Sequence, residues 1–260
     1  MKWLALLKWL VPIFFLAGEA FCADAVVVMH GKGGSPLRYV DGLAAYLEQQ
    51  GFLVANLEMP WSGRRGYDVD VAAAEGEVEA ALEGLRAKGA RKRFVIGHSQ
   101  GGVFALYFGT RHAVDGIVTI APGGSTAAPV FLEKLGPSFA RARSLVAEGK
   151  GAQKERFLDF EGSRGTSPVV TAAAVYVTWF DPDGAMNEGN AVRALPPRTP
   201  VLFVAPSGDY PALARVKGAM FGALPKNPGT RLYEPVASHL EAPSASKEAI
   251  AAWIKEVAGP

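Results

Sequence analysis

"RFVIGHSQGGVFAL", residues 93–106, runs from an apolar segment through a cluster of glycines into apolar residues at helical spacing, so it reads as a buried strand turning sharply into a helix. Ser99 stands at the turn, with Gly97 before it and Gly101 after it. The chain holds 30 glycines, and Gly-x-Ser-x-Gly takes its weight from the setting rather than from the pattern alone. At a strand-to-helix junction that setting is a nucleophile elbow: the serine backbone is strained, and the flanking glycines leave room for it.

The same cycle recurs on both sides of this stretch. Val26–Met29 is followed by a glycine loop and by Leu37, Val40, Leu43, Ala44 and Leu47 at helical spacing. "FLVANLEM" (52–59) precedes Val71, Val78, Leu82 and Leu85, and "GIVTIAP" (116–122), "PVLFVAP" (200–206) and "TRLYEPV" (230–236) continue the series. The last is followed by a helix carrying Ile250, Trp253, Ile254 and Val257. Six apolar strands linked by helices predict an α/β fold, a mainly parallel sheet covered on both faces. One connection breaks the rhythm, because about 80 residues separate Ala121 from Val201 where 2 to 6 are usual. Amphipathic segments around Val130, Phe131, Leu135, Phe139, Leu145 and Phe157 predict a helical cap insertion over residues 125–165. "TSPVVTAAAVYVTWFDP" (166–182) reads as the helix that crosses back to the sheet.

A chain of 260 residues, 49% hydrophobic and 20% charged, has the length and composition of one large domain, expected over residues 21–260. The formal charge of +2 points to no nucleic-acid partner and no anionic membrane surface. Residues 1–20 have the layout of a signal peptide: Lys2 and Lys8, an apolar run from Trp9 to Ala17 shorter than the ~20 residues of a membrane span, then small residues. Cleavage is expected after Ala20, with Ala23 and Ala25 as weaker sites, and the mature chain is expected in the periplasm or the medium without stable membrane insertion. Bulky Phe21 before Cys22 argues against lipidation there, and a single cysteine excludes an internal disulfide.

A serine hydroxyl needs a neighbouring base to become a nucleophile. His30 ends the first strand and reads as a loop-shaping residue, the side chain of His98 should point away from that of its neighbour Ser99, and His112 falls at a helix C-terminus. His239, in "VASHLEAP" straight after the last strand, is the candidate base. The base in turn needs an acid. Asp209, in "VLFVAPSGDY", lies just past the C-terminal end of a buried strand, where open parallel sheets gather functional groups; Asp181, Asp183, Glu234 and Glu241 are rivals. The chain order Ser99, Asp209, His239 suits this architecture.

With "HGKGG" (30–34), "GHSQGG" (97–102), "SGD" (207–209) and the histidine after the last strand, nearly all of the mature chain resembles the α/β-hydrolase superfamily, in its serine esterase and lipase-like branches. The chain lacks the antiparallel hairpin that often opens that fold, so about six strands are expected. The resemblance implies an oxyanion hole from the backbone N–H groups of Gln100 and Lys32, with Gly33 as the alternative to Lys32. It implies hydrolysis of small to medium carboxylic esters through an acyl-enzyme on Ser99, His239 and Asp209, with no cofactor or metal. Trp61 and Tyr67, in "MPWSGRRGYD" at the same sheet edge, are expected to line the substrate pocket. Amidase, thioesterase or acyltransferase chemistry on the same residues, or noncatalytic ligand binding on this scaffold, are the alternatives.

Overall fold

The computed structural model describes residues 23–162 and 164–259; the expected signal peptide and Cys22 lie outside the described residues. Strands and helices alternate along the first half: β1 (Ala25–Met29), α1 (Asp41–Gln49), β2 (Leu53–Leu57), α2 (Val71–Ala87), β3 (Arg93–His98), α3 (Gln100–Arg111) and β4 (Gly116–Ile120). The long connection then contributes α4 (Pro129–Ala147), β5 (Lys154–Glu161), β6 (Gly165–Ala172), α5 (Ala173–Phe180) and α6 (Glu188–Ala194). The chain returns through β7 (Val201–Val204), α7 (Pro211–Gly222), β8 (Arg231–Tyr233), α8 (Ala242–Ala245) and α9 (Lys247–Ala258).

Six strands form one sheet in the order β2-β1-β3-β4-β7-β8, and every neighbouring pair is parallel, in agreement with the expected fold. Alternate residues serve opposite faces. Val26, Val28, Phe94, Ile96, Val118 and Ile120 pack with the apolar residues of α1 and α9, while Val27, Met29, Val95 and Ile117 pack with α2, α3 and the inserted segment. Burial on both faces explains why these strands read as unbroken apolar runs.

The insertion is not wholly helical, as expected, but mixed. β5 and β6 form an antiparallel two-stranded sheet of their own, and the predicted crossover helix over 166–182 divides into strand β6 and helix α5. The period of two was hard to read because its polarity is inverted in places. Asp159 is buried while Leu158 is exposed, and Val170 is 65% exposed between buried Val169 and Thr171. The hairpin and α5 are tied to the loop after β2: the Thr171 hydroxyl donates to Tyr67 O at 2.6 Å, and Trp179 Nε1 to Val69 O at 2.8 Å.

Candidate active site

Ser99 sits between β3 and α3 with φ 55° and ψ −118°, in the left-handed region where a side chain is strained. Its surroundings explain both motif glycines. A Cβ on Gly97 would lie 1.9 Å from Gly101 O, and a Cβ on Gly101 would lie 2.6 Å from Met29 O and 2.7 Å from His30 O. One glycine lets the helix start against its own strand, and the other admits the end of β1. Ser99 is pinned by its backbone, donating to Ile120 O at 2.8 Å and accepting from Gly102 N at 2.9 Å and Gly123 N at 3.2 Å.

The loop after β1 lies against this turn, since a Cβ on Gly31 would come within 3.0 Å of Ser99 Cβ. His30 is fully buried and shapes that loop, as its sequence position suggested. Its Nδ1–H donates to Gly31 O (2.7 Å), its Nε2 accepts from Met59 N (3.0 Å), and burial lowers its pKa. Gly33 donates its N–H to Trp61 O at 2.9 Å, which commits it elsewhere and leaves Lys32 as the candidate oxyanion donor in this loop. The N–H of Gln100 falls in the first turn of α3, where a helix supplies no internal acceptor.

Asp209 and His239 meet because two loops are laced together beyond their strands. Ala205 N donates to Tyr233 O, Ser207 N to Pro235 O and Gly208 N to Ala237 O, which carries the β7–β8 pairing outward to a parallel bridge between Gly208 and Ser238. Gly208 suits this close approach, because a Cβ would stand a tight 3.0 Å from Ala237 O. At the end of this ladder Asp209 Oδ1 lies 2.7 Å from His239 Nδ1, with the two side chains 5% and 6% exposed. Asp209 Oδ1 also accepts from Tyr210 N (2.7 Å), and the Tyr210 ring leans on the imidazole at 4.5 Å between centroids.

Three of the four rival carboxylates are engaged elsewhere. Asp181 Oδ1 accepts from Asp183 N within its own turn, Glu234 pairs with Lys217, and Glu241 accepts from Ser238 N and Oγ. His98, beside Ser99, turns its ring toward the other loop: Nε2 donates to His239 O at 2.9 Å, and the two rings are 5.0 Å apart. Burial and the neighbouring His239 lower its pKa to about 3, so it holds the His239 loop as a neutral ring. Neither His98 nor Tyr210 was selected from the sequence as a site residue, and adjacency to Ser99 and to Asp209 was the signal available for each.

Trp61 and Tyr67, expected as pocket walls, are instead 2% and 3% exposed. Trp61 is core: its ring packs against Phe104 and Trp179, and its Nε1 donates to His30 O at 2.8 Å, which fixes the end of β1. Tyr67 directs its hydroxyl to Asp159 and to the amide of Gln100. The cleft beside this region is lined by Thr126, Phe131, Leu135, Phe139 and Phe180, from the loop after β4, α4 and α5.

A family model described as serine aminopeptidase, S33, matches residues 22–161. A comparison with curated proteins finds no match. Among solved structures, the Paleococcus ferrophilus monoacylglycerol lipase is similar over 92% of this chain and 96% of its own, with 22% identity and a TM-score of 0.60. Est1E from Butyrivibrio proteoclasticus, solved with ferulic acid, is similar over 91% and 90%, with 16% identity and a TM-score of 0.60. The α/β hydrolase GrgF from Penicillium sp. sh18 is similar over 90% and 89%, with 15% identity and a TM-score of 0.65.

Proposed function

The chain belongs to the family of serine aminopeptidase, S33, within the α/β-hydrolase superfamily, and from that premise we propose that it is a serine hydrolase cleaving carboxylic esters of small to medium size. The observation that carries the reading is the Asp209–His239 contact of 2.7 Å, held on laced loops beside the strained turn of Ser99. With Nδ1 bound to Asp209, His239 presents Nε2 as the base. It takes the proton as Ser99 Oγ attacks the carbonyl carbon, and the N–H groups of Gln100 and Lys32 meet the developing oxyanion. His239 then protonates the departing alcohol, and a water activated by the same nitrogen releases the acid from Ser99.

The family description brings amide cleavage in as a second reading. A substrate with a free amino terminus calls for a carboxylate to receive the ammonium. Asp159, beside the Lys32 loop, already receives the Lys32 ammonium at 2.5 Å and does not offer itself to a substrate amine. The layout of residues 1–20 further supports work in the periplasm or the medium.

Ser99→Ala tests the assignment. The wild-type chain is expected to react with a fluorophosphonate and to turn over p-nitrophenyl butyrate. The variant should lose labelling and about 10⁶ in kcat at unchanged circular dichroism. A folded Ser99→Ala protein with ordinary turnover refutes the nucleophile, and a wild-type chain that does not label points to a binding protein on this scaffold. Faster cleavage of aminoacyl p-nitroanilides than of esters would favour the amide reading.

A further inference from the structure

We propose that Asp159, on the inserted hairpin, is a positioning residue that fixes the two residues presenting the oxyanion-binding N–H groups; the inference rests on the serine-hydrolase reading above. Asp159 is 4% exposed. Its Oδ1 accepts from Lys32 Nζ at 2.5 Å and from Phe160 N at 2.7 Å, and its Oδ2 accepts from the Tyr67 hydroxyl at 3.1 Å. The Tyr67 oxygen in turn accepts from Gln100 Nε2 at 3.2 Å. A single carboxylate thus joins Lys32, in the loop after β1, to Gln100, the residue after the nucleophile. The ammonium donates to Asp159, the phenol donates to Asp159 at 3.1 Å with Gln100 Oε1 farther off at 3.4 Å, and the Gln100 amide donates to the phenol.

The rest of the hairpin holds the relay in place. Tyr67 is in the left-handed region at φ 58°, and the hairpin grips it from both strands, Asp159 at its hydroxyl and Thr171 at its carbonyl. Phe160 O takes a second bond from Lys32 Nζ at 3.0 Å, and the Phe131 ring lies 5.4 Å from that nitrogen. Burial and the Asp159 charge keep the Tyr67 phenol protonated, so it remains a donor at any working pH. A buried ion pair is a weak source of stability compared with apolar packing of equal volume, because both charges must leave water. What this pair supplies is geometry, at a place where a misplacement of about 1 Å costs on the order of 100-fold in rate.

Fluorophosphonate labelling of the full chain reads the proposal without knowledge of the natural substrate. The rate constant of labelling depends on the nucleophile, the base and the oxyanion donors, whereas a folding lesion lowers only the fraction that labels. Asp159→Asn keeps the shape and removes the charge, and Lys32→Met keeps the backbone N–H. Each is expected to label on the order of 10- to 100-fold more slowly, to the same final extent and with KM for a p-nitrophenyl ester near the wild-type value. The double variant should be slowed by less than the product of the two single effects, because the Lys32–Asp159 contact is common to both changes. Should Asp159→Asn fail to fold, Lys32→Met and Tyr67→Phe carry the same expectation. Labelling of Asp159→Asn at the wild-type rate, or with only a reduced final extent, overturns the positioning role and leaves the serine-hydrolase reading standing. A wild-type chain that does not label removes both.

Discussion

Asp209 owes its place to the bonds that hold its carboxylate rather than to its charge. Oδ1 meets both His239 Nδ1 and Tyr210 N at 2.7 Å, so the oxygen that orients the imidazole is itself held by the backbone. Asp209→Asn keeps this shape but favours the wrong histidine tautomer, and kcat should fall by up to ~10⁴, as in the serine-protease case. Asp181→Asn and Glu234→Gln, engaged in a local turn and in a surface ion pair, should stay within a few-fold of wild type. Kinetics of the three variants at one pH decide between them. The two loops that meet as Asp209 and His239 were legible because each follows an apolar strand, and parallel strands deliver their C-terminal ends to one edge. Asp159 was not legible. One of three carboxylates in "KERFLDFE" (154–161), Asp159 carries no motif, and only the folded contacts with Lys32 and Tyr67 give it a task. Trp61 misled for a related reason: an aromatic residue in a loop at the site edge reads the same whether its ring faces substrate or core.

The sheet strands were readable from apolar runs, and the elbow was readable from glycines whose necessity the structure makes quantitative. Gly101→Ala places a methyl group within 2.7 Å of two backbone oxygens, Met29 O at the end of β1 and His30 O just after it, and nothing flexible can yield there. We expect loss of the Ser99 geometry together with several kcal/mol of stability, more than the ~1 kcal/mol centre of mutational effects. Gly76→Ala, whose added Cβ meets open space on α2, should be neutral or slightly stabilising, consistent with helix propensity. Urea unfolding of the two variants gives the contrast. The cap was the element least readable in advance. A hairpin with an acid in its buried row and valine in its exposed row has the amphipathic period of neither a strand nor a helix, so its pairing is decided by what it docks against, chiefly Tyr67 and the loop around it.

Three buried titratable groups shape the pH dependence of the whole fold. Burial lowers His98 to about 3 and lowers His30 in the same direction, so each resists the proton that the unfolded chain binds below 6.5, and stability falls as pH drops below that value. Glu188 is pushed up to about 8 by burial from an ordinary 4.5, so the unfolded chain gives up this proton first, and stability falls as pH rises between those values. Below pH 6.5 the two histidines oppose the one acid, and above it their effect fades as the unfolded histidines lose their protons, so the acid comes to dominate. Glu188 gives a decline on the alkaline side on the order of 1 kcal/mol per pH unit up to about 8. Glu188→Gln should flatten that alkaline decline and leave the acid one, as thermal unfolding from pH 5 to 8.5 would register. A Tm that rises steadily to pH 8 in the wild type would contradict this assignment.

The lacing of the two loops beyond β7 and β8 bears on how such a site wears out. A constellation carried on independent loops can drift apart while its scaffold survives, giving folded but inert molecules that accumulate with use. Here Ser207 and Gly208 are bonded in register to Pro235 and Ala237, so the backbones that carry Asp209 and His239 cannot separate without unzipping the outer edge of the sheet. Separation of the two loops and loss of the sheet edge are therefore expected to be one event, with few molecules that keep the sheet and lose the loop pairing.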